Sequence, residues 1–379
     1  MPAGIAPRIV LFGATGYTGG LTAEALVRRG ESPLLAGRSA ERLQALAKKL
    51  DAGLETATAD VDDPDSIRAL LNPGDVLLTT VGPFTRWGNA AATAAIAARA
   101  HYVDSTGEAA FIRRVFDGYG PAAERAGVAM LTAFGNDWVP GNLAGALALG
   151  EAGDSARRVD IGYFTTGGGA GGGFSAGTRA STVATLGEPA FAWREGRIVS
   201  ERGGRRVRSF EVGGRNRDAL SVGGTEHFGL PRIEPRLREV NVYLGWFGKA
   251  TRALQIGGAG MTGALALPGA KRLYDFATSR LVKGSGGGPD AAARAGARSI
   301  FVACAYDESG HQLSEVRVEG ADGYTLTGEL LAWGAGELLR EGALASGALA
   351  PVDAFGLERL REGCATAGLQ ATQPAPASA

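Results

Sequence analysis

The chain has 379 residues, of which 45% are hydrophobic and 21% are charged, as in an ordinary folded protein large enough for two domains. Its 39 Lys and Arg residues balance 39 Asp and Glu residues, so the overall charge favours neither nucleic acid nor an acidic membrane as a partner. Cys304 and Cys364 form no CxxC motif, and the three histidines are scattered along the chain. This usage argues against a disulfide scaffold and a bound metal, and we expect a cytoplasmic protein.

The first third of the chain alternates short apolar runs with segments of helical spacing. Six such runs predict strands at residues 8–13, 33–37, 54–60, 75–82, 101–107 and 128–135. Strict alternation of strands and helices predicts an α/β fold, a doubly wound parallel sheet of the Rossmann type, over residues 1–135. Ligands on such sheets bind at the carboxyl ends of the strands, so the residues that follow each strand are the functional candidates.

After residue 135 the pattern changes to longer runs that are joined by glycine-containing turns. These runs predict strands at residues 158–168, 238–248, 298–310, 311–320 and 324–334. They indicate a second, α+β domain with a mixed or antiparallel sheet over residues 136–328. The rest, residues 329–379, begins with a helical pattern, and we expect this segment to pack back on the first domain.

Three further segments stand out by composition. The glycine clusters at 167–173 and 284–288 predict mobile loops, and we expect the first to border the substrate cleft. Residues 253–270 carry no charge and nearly reach the length of a membrane span, but they contain five glycines and a proline. They favour a buried or loosely helical insert over a transmembrane segment, and a role beside an apolar substrate or on a lipid surface stays open. The N-terminus has no signal-peptide pattern.

A glycine-rich turn separates the first predicted strand from the first helix. Its spacing is GxxGxxG, in which the first glycine allows the tight turn and the second lets backbone N–H groups approach a pyrophosphate. The third glycine, Gly19, lets the helix pack closely on the sheet, and the N-terminus of the helix adds partial positive charge. The turn therefore predicts dinucleotide binding by Gly13, Thr15, Gly16, Tyr17 and Thr18.

The second predicted strand ends with Gly37, Arg38 and Ser39. An acidic residue at this place would hydrogen-bond the ribose 2′-hydroxyl of NAD, whereas a guanidinium and a hydroxyl suit the 2′-phosphate of NADP. We therefore predict that the cofactor is NADP(H) and that Arg38 and Ser39 bind its 2′-phosphate.

The third and fourth predicted strands complete the cofactor site. Asp60 and Val61 follow the third strand and should lie near the adenine. Val81, Gly82 and Pro83 lie at the end of the fourth strand, where the small Gly82 would let the backbone approach the nicotinamide ribose.

Acidic residues follow the next two strands. Asp104 lies toward the end of the fifth strand, Glu108 follows it, and Asp137 follows the sixth strand. We expect at least one of them to reach the nicotinamide ring, where burial would raise its pKa and make it the proton donor. The chain has no Tyr-x-x-x-Lys near the fifth strand and no GxSxG motif, and the lone His227 fits a structural role better than a catalytic one.

With these residues in place, the chain resembles the saccharopine dehydrogenase-like oxidoreductases, in particular the actinobacterial trans-acting enoyl reductases. The resemblance rests on eight segments that cover most of the chain in order: GATGYTGGL, AGRSAERL, VGPFTRWG, HYVDSTGE, GNDWVPGNL, EHFGLPR, VNVYLGWFG and DGYTLTGELLAWGA. It implies a Rossmann domain, a second domain whose sheet covers the nicotinamide cleft, and NADPH-dependent reduction of a C=C or C=N bond. The loop after the sixth strand departs from the family's GFDSIP type, with Asn136 and Trp138 at the changed positions.

Three functions stay open at this stage. The first is NADPH-dependent reduction of an activated C=C or C=N bond in a secondary-metabolite or acyl substrate. The second is a saccharopine-type imine or amino-acid dehydrogenase, in which Arg179, Arg194 and Arg232 could hold substrate carboxylates. The third is a redox-silent NADP-binding scaffold or sensor, since Rossmann folds also bind without turnover. In each case we expect a small-molecule ligand and no nucleic acid, and a homodimer stays open.

Overall fold

The computed structural model describes residues 6–167, 189–265 and 287–372. Several sequence predictions concern residues outside these ranges, namely the glycine loop beyond Gly167, Arg179, the end of the uncharged segment and most of the second glycine cluster. The described residues divide into two compact units. The first unit comprises residues 6–139 and 324–367 together with Gly287, and the second comprises the rest.

The described strands are β1 (Ile9–Phe12), β2 (Leu34–Gly37), β3 (Thr56–Thr58), β4 (Val76–Thr79), β5 (His101–Asp104), β6 (Ala129–Leu131), β7 (Arg158–Gly167), β8 (Pro189–Arg194), β9 (Arg197–Arg202), β10 (Val207–Glu211), β11 (Asn216–Val222), β12 (Glu239–Leu244), β13 (Ala297–Tyr306), β14 (Gln312–Gly320), β15 (Gly347–Ala348) and β16 (Gln370–Thr372). The described helices are α1 (Tyr17–Arg28), α2 (Ala40–Leu50), α3 (Pro64–Arg68), α4 (Phe84–Ala98), α5 (Ala109–Arg114), α6 (Gly120–Ala126), α7 (Val139–Ala152), α8 (Glu226–Ile233), α9 (Thr251–Leu265), α10 (Ala291–Ala295), α11 (Gly323–Glu341), α12 (Pro351–Phe355) and α13 (Leu357–Thr366).

The first unit is built on a seven-stranded sheet in the order β15-β6-β5-β4-β1-β2-β3 among the described residues. All of its strand pairs are parallel, and β1, β2 and β4 are buried along their whole length because helices cover the sheet. The α/β fold class with a parallel N-terminal sheet is therefore confirmed. The chain reverses its winding between β1 and β4, and the crevice above that point is where such sheets bind ligands.

The C-terminal part of the first unit adds a strand and helices to this sheet. The two-residue strand β15 pairs with β6, and helix α11 packs so closely on α1 that a Cβ atom on Gly328 would lie 3.2 Å from the Leu21 backbone. The strand predicted at residues 324–334 is wrong, because this segment is the first half of α11. Its β-branched start imitates a strand, but its buried residues recur with helical spacing, among them Leu326, Leu330 and Leu331.

The second unit is built on a nine-stranded sheet among the described residues. Its main order is β10-β11-β12-β7-β13-β14-β16, and β8 pairs with β12 and β9. The β7–β12 pair is parallel and the other pairs are antiparallel, which confirms the predicted mixed sheet. One face carries a buried cluster that includes Phe164, Phe210 and Tyr243.

The uncharged segment predicted from the sequence begins within α9. Helix α9 has 15 residues, and it extends to Leu265. Across the described ranges, no helix combines the length and the apolar character that are needed to cross a bilayer.

Candidate functional site

The glycine-rich turn lies between β1 and α1 in the first unit. Gly13 has a φ angle of +91°, which L side chains rarely adopt, and its N–H donates to Ala36 O at 2.9 Å. A Cβ atom on Gly13 would lie 2.8 Å from Val81 Cγ2, and one on Gly19 would lie 2.1 Å from Gly13 O. The turn is therefore closed around glycines at both positions, which brings the start of α1 against the end of β1.

The start of α1 offers the features that bind a pyrophosphate. Gly16 precedes the helix without a capping side chain, and its N–H donates to Gly13 O at 2.9 Å. Tyr17 and Thr18 form the first turn of the helix, where the helix dipole is positive. The half-buried Thr15 lies between the two glycines. A tight glycine turn that leads into a helix N-terminus fits the diphosphate of a dinucleotide.

The end of β2 carries exposed cationic and hydroxyl groups. Arg38 is exposed, and it takes part in no hydrogen bond or ion pair with the residues that the structure describes. Ser39 precedes α2, and its Oγ atom accepts a hydrogen bond from Arg42 N at 3.3 Å. The guanidinium of Arg42 donates to Thr15 O at 2.6 Å and so reaches from α2 to the glycine turn. Sequence reasoning missed Arg42, although its position one helical turn after Arg38 was a signal.

The ends of β3 and β4 flank this region. Asp60 follows β3, where its Oδ1 atom accepts a hydrogen bond from Asp62 N at 3.1 Å, and Val61 is half-buried beside it. Val81 N donates to Thr79 Oγ1 at 3.3 Å, so the chain turns directly after β4.

The residues predicted to follow β4 line the same edge of the sheet. Val81, Gly82 and Pro83 are half-buried, and Pro83 directly precedes α4. Thr80 Oγ1 lies 3.2 Å from Gly13 O, to which it donates a hydrogen bond. The loop after β4 and the glycine turn are therefore neighbours at the point where the sheet reverses its winding.

Asp104, at the end of β5, is fully buried and holds the neighbouring strand. Its Oδ1 atom accepts hydrogen bonds from Thr106 N and Ala133 N, each at 2.8 Å, and its Oδ2 atom accepts one from Thr132 Oγ1 at 2.8 Å. Burial raises the pKa of this carboxyl to about 6, although these hydrogen bonds lower it. The carboxyl group links the ends of β5 and β6.

Glu108 lies four residues farther along and is also buried. Its Oε1 atom accepts a hydrogen bond from Phe84 N at 2.8 Å. Its Oε2 atom accepts hydrogen bonds from Thr85 N at 2.8 Å and from Thr85 Oγ1 at 2.7 Å. These donors belong to the first turn of α4, so Glu108 binds backbone N–H groups that the helix itself leaves without partners.

Asp137, in the loop after β6, has a different environment. Its carboxyl is half-buried and accepts one described hydrogen bond, from Asn136 Nδ2 to Oδ1 at 2.8 Å. A Cβ atom on Gly107 would lie 3.3 Å from Asp137 Oδ2, so this oxygen lies beside the loop that follows β5. Burial raises the pKa of Asp137 to about 6, because one amide replaces only part of the lost hydration.

The Asp137 loop is also fixed from α11. Asn136 N donates to Thr327 Oγ1 at 3.1 Å, and a Cβ atom on Gly135 would lie 2.9 Å from Thr327 Cγ2. The same helix places Tyr324 edge-on against Tyr17, with ring centroids 5.1 Å apart. Helix α11 thus contacts both the start of α1 and the loop that carries Asp137.

Polar groups in the second unit form separate clusters. Tyr163 Oη accepts a hydrogen bond from Gly141 N at 2.9 Å and donates one to Glu226 Oε1 at 2.5 Å, an arrangement that sequence reasoning missed. His227 is buried, which lowers its pKa to about 3 and keeps the ring neutral at physiological pH. Arg194 contacts the Asn241 side chain and lies 3.6 Å from a Glu239 carboxylate oxygen. Within the described parts of the chain, no three His, Cys, Asp or Glu side chains are grouped to hold a metal ion.

Comparison with protein families matches residues 9–131 to the saccharopine dehydrogenase NADP-binding domain. A Mycobacterium tuberculosis protein that carries a provisional trans-acting enoyl reductase name is 40% identical over 187 residues, which are 47% of this chain and 44% of that protein. The trans-acting enoyl reductase of Mycobacterium bovis is 40% identical over 140 residues, which are 36% of this chain and 34% of that protein. The matched region therefore spans less than half the length of these curated relatives.

Two solved structures share the fold of the chain. Saccharopine dehydrogenase from Saccharomyces cerevisiae superposes with a TM-score of 0.58 at 14% identity, over 97% of this chain and 100% of that one. Homospermidine synthase from Legionella pneumophila, in complex with NAD, superposes with a TM-score of 0.63 at 8% identity, over 97% of this chain and 92% of that one. At these identities the likeness establishes the fold alone.

Proposed function

We propose that this chain, in which residues 9–131 form a saccharopine dehydrogenase NADP-binding domain, is an NADPH-dependent reductase of an activated C=C bond in an acyl substrate. The observation that carries the proposal is that two different groups lie on one edge of the parallel sheet. A glycine turn that fits a pyrophosphate follows β1, and a half-buried carboxyl with a raised pKa, Asp137, follows β6. The names of the relatives that are 40% identical support the C=C bond as the reacting group.

The first part of the proposed mechanism is cofactor binding. The start of α1 binds the diphosphate, and the loop after β4, with Gly82, borders the nicotinamide ribose. Arg38 and Ser39 bind the 2′-phosphate. The Ser39 Oγ atom accepts from Arg42 N, so its hydroxyl hydrogen can be donated to a phosphate oxygen. NADPH held by these residues would supply the hydride for the electron-poor carbon of the substrate.

The second part is proton delivery to the other carbon of the double bond. Asp137 is the best donor among the three predicted acids, because both carboxyl oxygens of Asp104 and of Glu108 accept hydrogen bonds, whereas Oδ2 of Asp137 accepts none from the described residues. The proton is held on Oδ2, since Oδ1 accepts the Asn136 hydrogen bond. With a pKa of about 6, the carboxyl can be protonated close to neutral pH. Hydride and proton together give the saturated product.

The test is NADPH oxidation by the purified full chain with matched substrates. We expect an α,β-unsaturated acyl thioester to be reduced and its saturated counterpart to leave NADPH unchanged. A cyclic imine belongs in the same panel. Reduction of the imine but of no C=C compound would overturn the proposal in favour of a saccharopine-type reaction. Tight NADPH binding with no turnover of any compound would favour the redox-silent alternative.

A further inference from the structure

We propose that Arg42 is a second ligand of the cofactor's 2′-phosphate and that it forms a two-arginine clamp with Arg38. The inference rests on the NADPH-dependent function proposed above. It assigns a role to a residue on α2 that lies outside the glycine-rich turn and outside the end of β2.

The position of the Arg42 side chain is the first argument. Its backbone N–H donates to Ser39 Oγ, and its guanidinium donates to Thr15 O at 2.6 Å. The side chain therefore crosses from the first turn of α2 to the glycine-rich turn. The end of β2 lies beside the same place, since a Cβ atom on Gly37 would be 3.9 Å from Thr15 Oγ1. The adenosine ribose of a dinucleotide lies between the turn after β1 and the end of β2, so Arg42 borders the space that a 2′-phosphate would take.

Arg38 and Arg42 give this place a positive charge that no acidic side chain among the described residues neutralises. Among the residues that the structure describes, Arg28 and Arg29 on α1 pair with Glu329, whereas Arg38 and Arg42 have no ion pair. Both arginines are exposed. A 2′-phosphate carries close to two negative charges at neutral pH, and the guanidinium groups of Arg38 and Arg42 would together match that charge.

The Arg42 guanidinium keeps hydrogen-bond donors for a ligand. A guanidinium has five N–H donors in a planar fork, and the Thr15 contact uses one Nη2 hydrogen. The guanidinium is therefore held at one end by a neutral carbonyl, which leaves its positive charge unpaired. Its remaining donors stay available for phosphate oxygens. A contact that fixes the side chain before binding lowers the entropy that is lost when the ligand binds.

The test compares ligands that differ by one phosphate. We propose fluorescence or calorimetric titration of the full chain with 2′,5′-ADP, 5′-AMP, NADPH and NADH. Arg42→Ala should weaken 2′,5′-ADP and NADPH binding about 10-fold, the loss expected for one charge-assisted contact that is partly exposed to solvent. Binding of 5′-AMP and NADH should change less than about twofold. Arg42→Lys should restore part of the loss, because it keeps the charge but not the fork.

Lys48→Ala is the matched control, because Lys48 is an exposed cation in the last turn of the same helix. It removes the same charge and should leave all four affinities unchanged. Equal losses of all four ligands in Arg42→Ala would mean that Arg42 only supports the Thr15 turn, and no loss would mean that it is not a ligand. Either result would overturn the inference while leaving the proposed function intact.

The wild-type chain separates the two proposals. If it binds 2′,5′-ADP no better than 5′-AMP, the proposed NADPH preference fails and the clamp fails with it. If it prefers 2′,5′-ADP and Arg42→Ala keeps the whole preference, only the clamp fails.

Discussion

Two regions on one edge of the first sheet differ in the sign and in the burial of their charged side chains. At the ends of β1 and β2, which we call the cationic region, Arg38 and Arg42 are exposed and the start of α1 is half-buried. At the ends of β5 and β6, which we call the acidic region, carboxyl groups are buried or half-buried. The cationic region keeps its donors available for an anionic ligand. In the acidic region the carboxyl oxygens of Asp104 and Glu108 already accept hydrogen bonds within the protein, and the pKa values of Asp104 and Asp137 are raised to about 6.

This difference separates binding from chemistry. A phosphate is bound well by exposed, fully charged groups, because it brings its own charge and needs little burial. A carboxyl that acts as a proton donor benefits from partial desolvation, because burial raises its pKa toward neutral pH. Changes in the cationic region should therefore alter cofactor affinity, and changes in the acidic region should alter stability or turnover.

The largest effect is expected at Gly19, where the cationic region depends on close packing. Gly19→Ala would place a Cβ atom 2.1 Å from Gly13 O, so the turn must move. We expect a loss of about 3 kcal/mol in the free energy of unfolding and the loss of measurable NADPH binding. Urea denaturation and cofactor titration measure the two effects.

The neighbouring glycine is a matched control for Gly19. A Cβ atom on Gly20 would have Ala14 O as its nearest contact, at 4.0 Å, so Gly20→Ala should be tolerated. It should stabilise the chain by up to about 1 kcal/mol, because alanine is a better helix former. If both variants behave alike, the packing account of the turn is wrong.

The next largest effect is expected at Asp104 in the acidic region. Asp104→Ala would leave Thr106 N, Ala133 N and the Thr132 hydroxyl without their partner. We expect a loss of about 3 kcal/mol in unfolding free energy, measured by urea denaturation, since each buried donor without a partner costs roughly 1–3 kcal/mol. Asp104→Asn keeps an oxygen that can accept both backbone hydrogen bonds and should cost much less. Equal losses in the two variants would contradict this account.

Asp104 also predicts a pH dependence of stability. The folded-state pKa is raised from 3.8 to about 6, so the folded state binds more protons than the unfolded state in that window. The contribution of this carboxyl to stability is therefore fully present below the unfolded pKa and is lost as pH rises through about 6. Asp104→Asn should remove this part of the pH dependence. Unfolding curves across that window, compared with those of Asp62→Asn at an exposed position, provide the measurement.

Turnover should depend on Asp137. We expect Asp137→Asn to lower kcat by about 100-fold, the smaller end of the effect of general acid catalysis, with little change in the Kd for NADPH. In the wild type kcat should fall as pH rises through about 6, because the protonated carboxyl is the donor, and the Asn variant should lose this titration. Steady-state kinetics at saturating NADPH measures both. An unchanged kcat in Asp137→Asn would remove this residue from the mechanism.

The sequence predicted much of the first sheet because strands such as β1, β2 and β4 are buried along their whole length and appear as continuous apolar runs. It did not predict β15, because a two-residue strand has no periodicity to recognise. It placed a strand at Tyr324, where the β-branched start of α11 resembles one. In the second sheet, β9 and β10 were not predicted. They contain arginines and a serine among few apolar residues, so the alternation of apolar and polar residues is weak.

The candidate site was partly predictable from the order of the parallel strands. Residues that follow parallel strands must lie on one edge of the sheet, so chain order was enough to select Arg38 and Asp137 as candidates. Whether a carboxyl binds backbone N–H groups or can donate a proton depends on where those N–H groups point. The order of residues in the chain does not contain that information. Arg42 was missed because its importance comes from a contact with Thr15, which follows only from the way α2 lies against the glycine turn.

The smallest of these effects is expected at Arg38, and it tests the cationic region alone. Arg38→Ala should weaken NADPH binding about 10- to 100-fold, because one or two charge-assisted hydrogen bonds to the 2′-phosphate are lost and the exposed position reduces their strength. NADH binding should be nearly unchanged, and Arg38→Asp should reverse the cofactor preference by repelling the phosphate. Raised salt should reduce the NADPH advantage of the wild type, since exposed charges are screened. Fluorescence titration gives both dissociation constants, and equal losses for NADPH and NADH would show that Arg38 supports the fold rather than the phosphate.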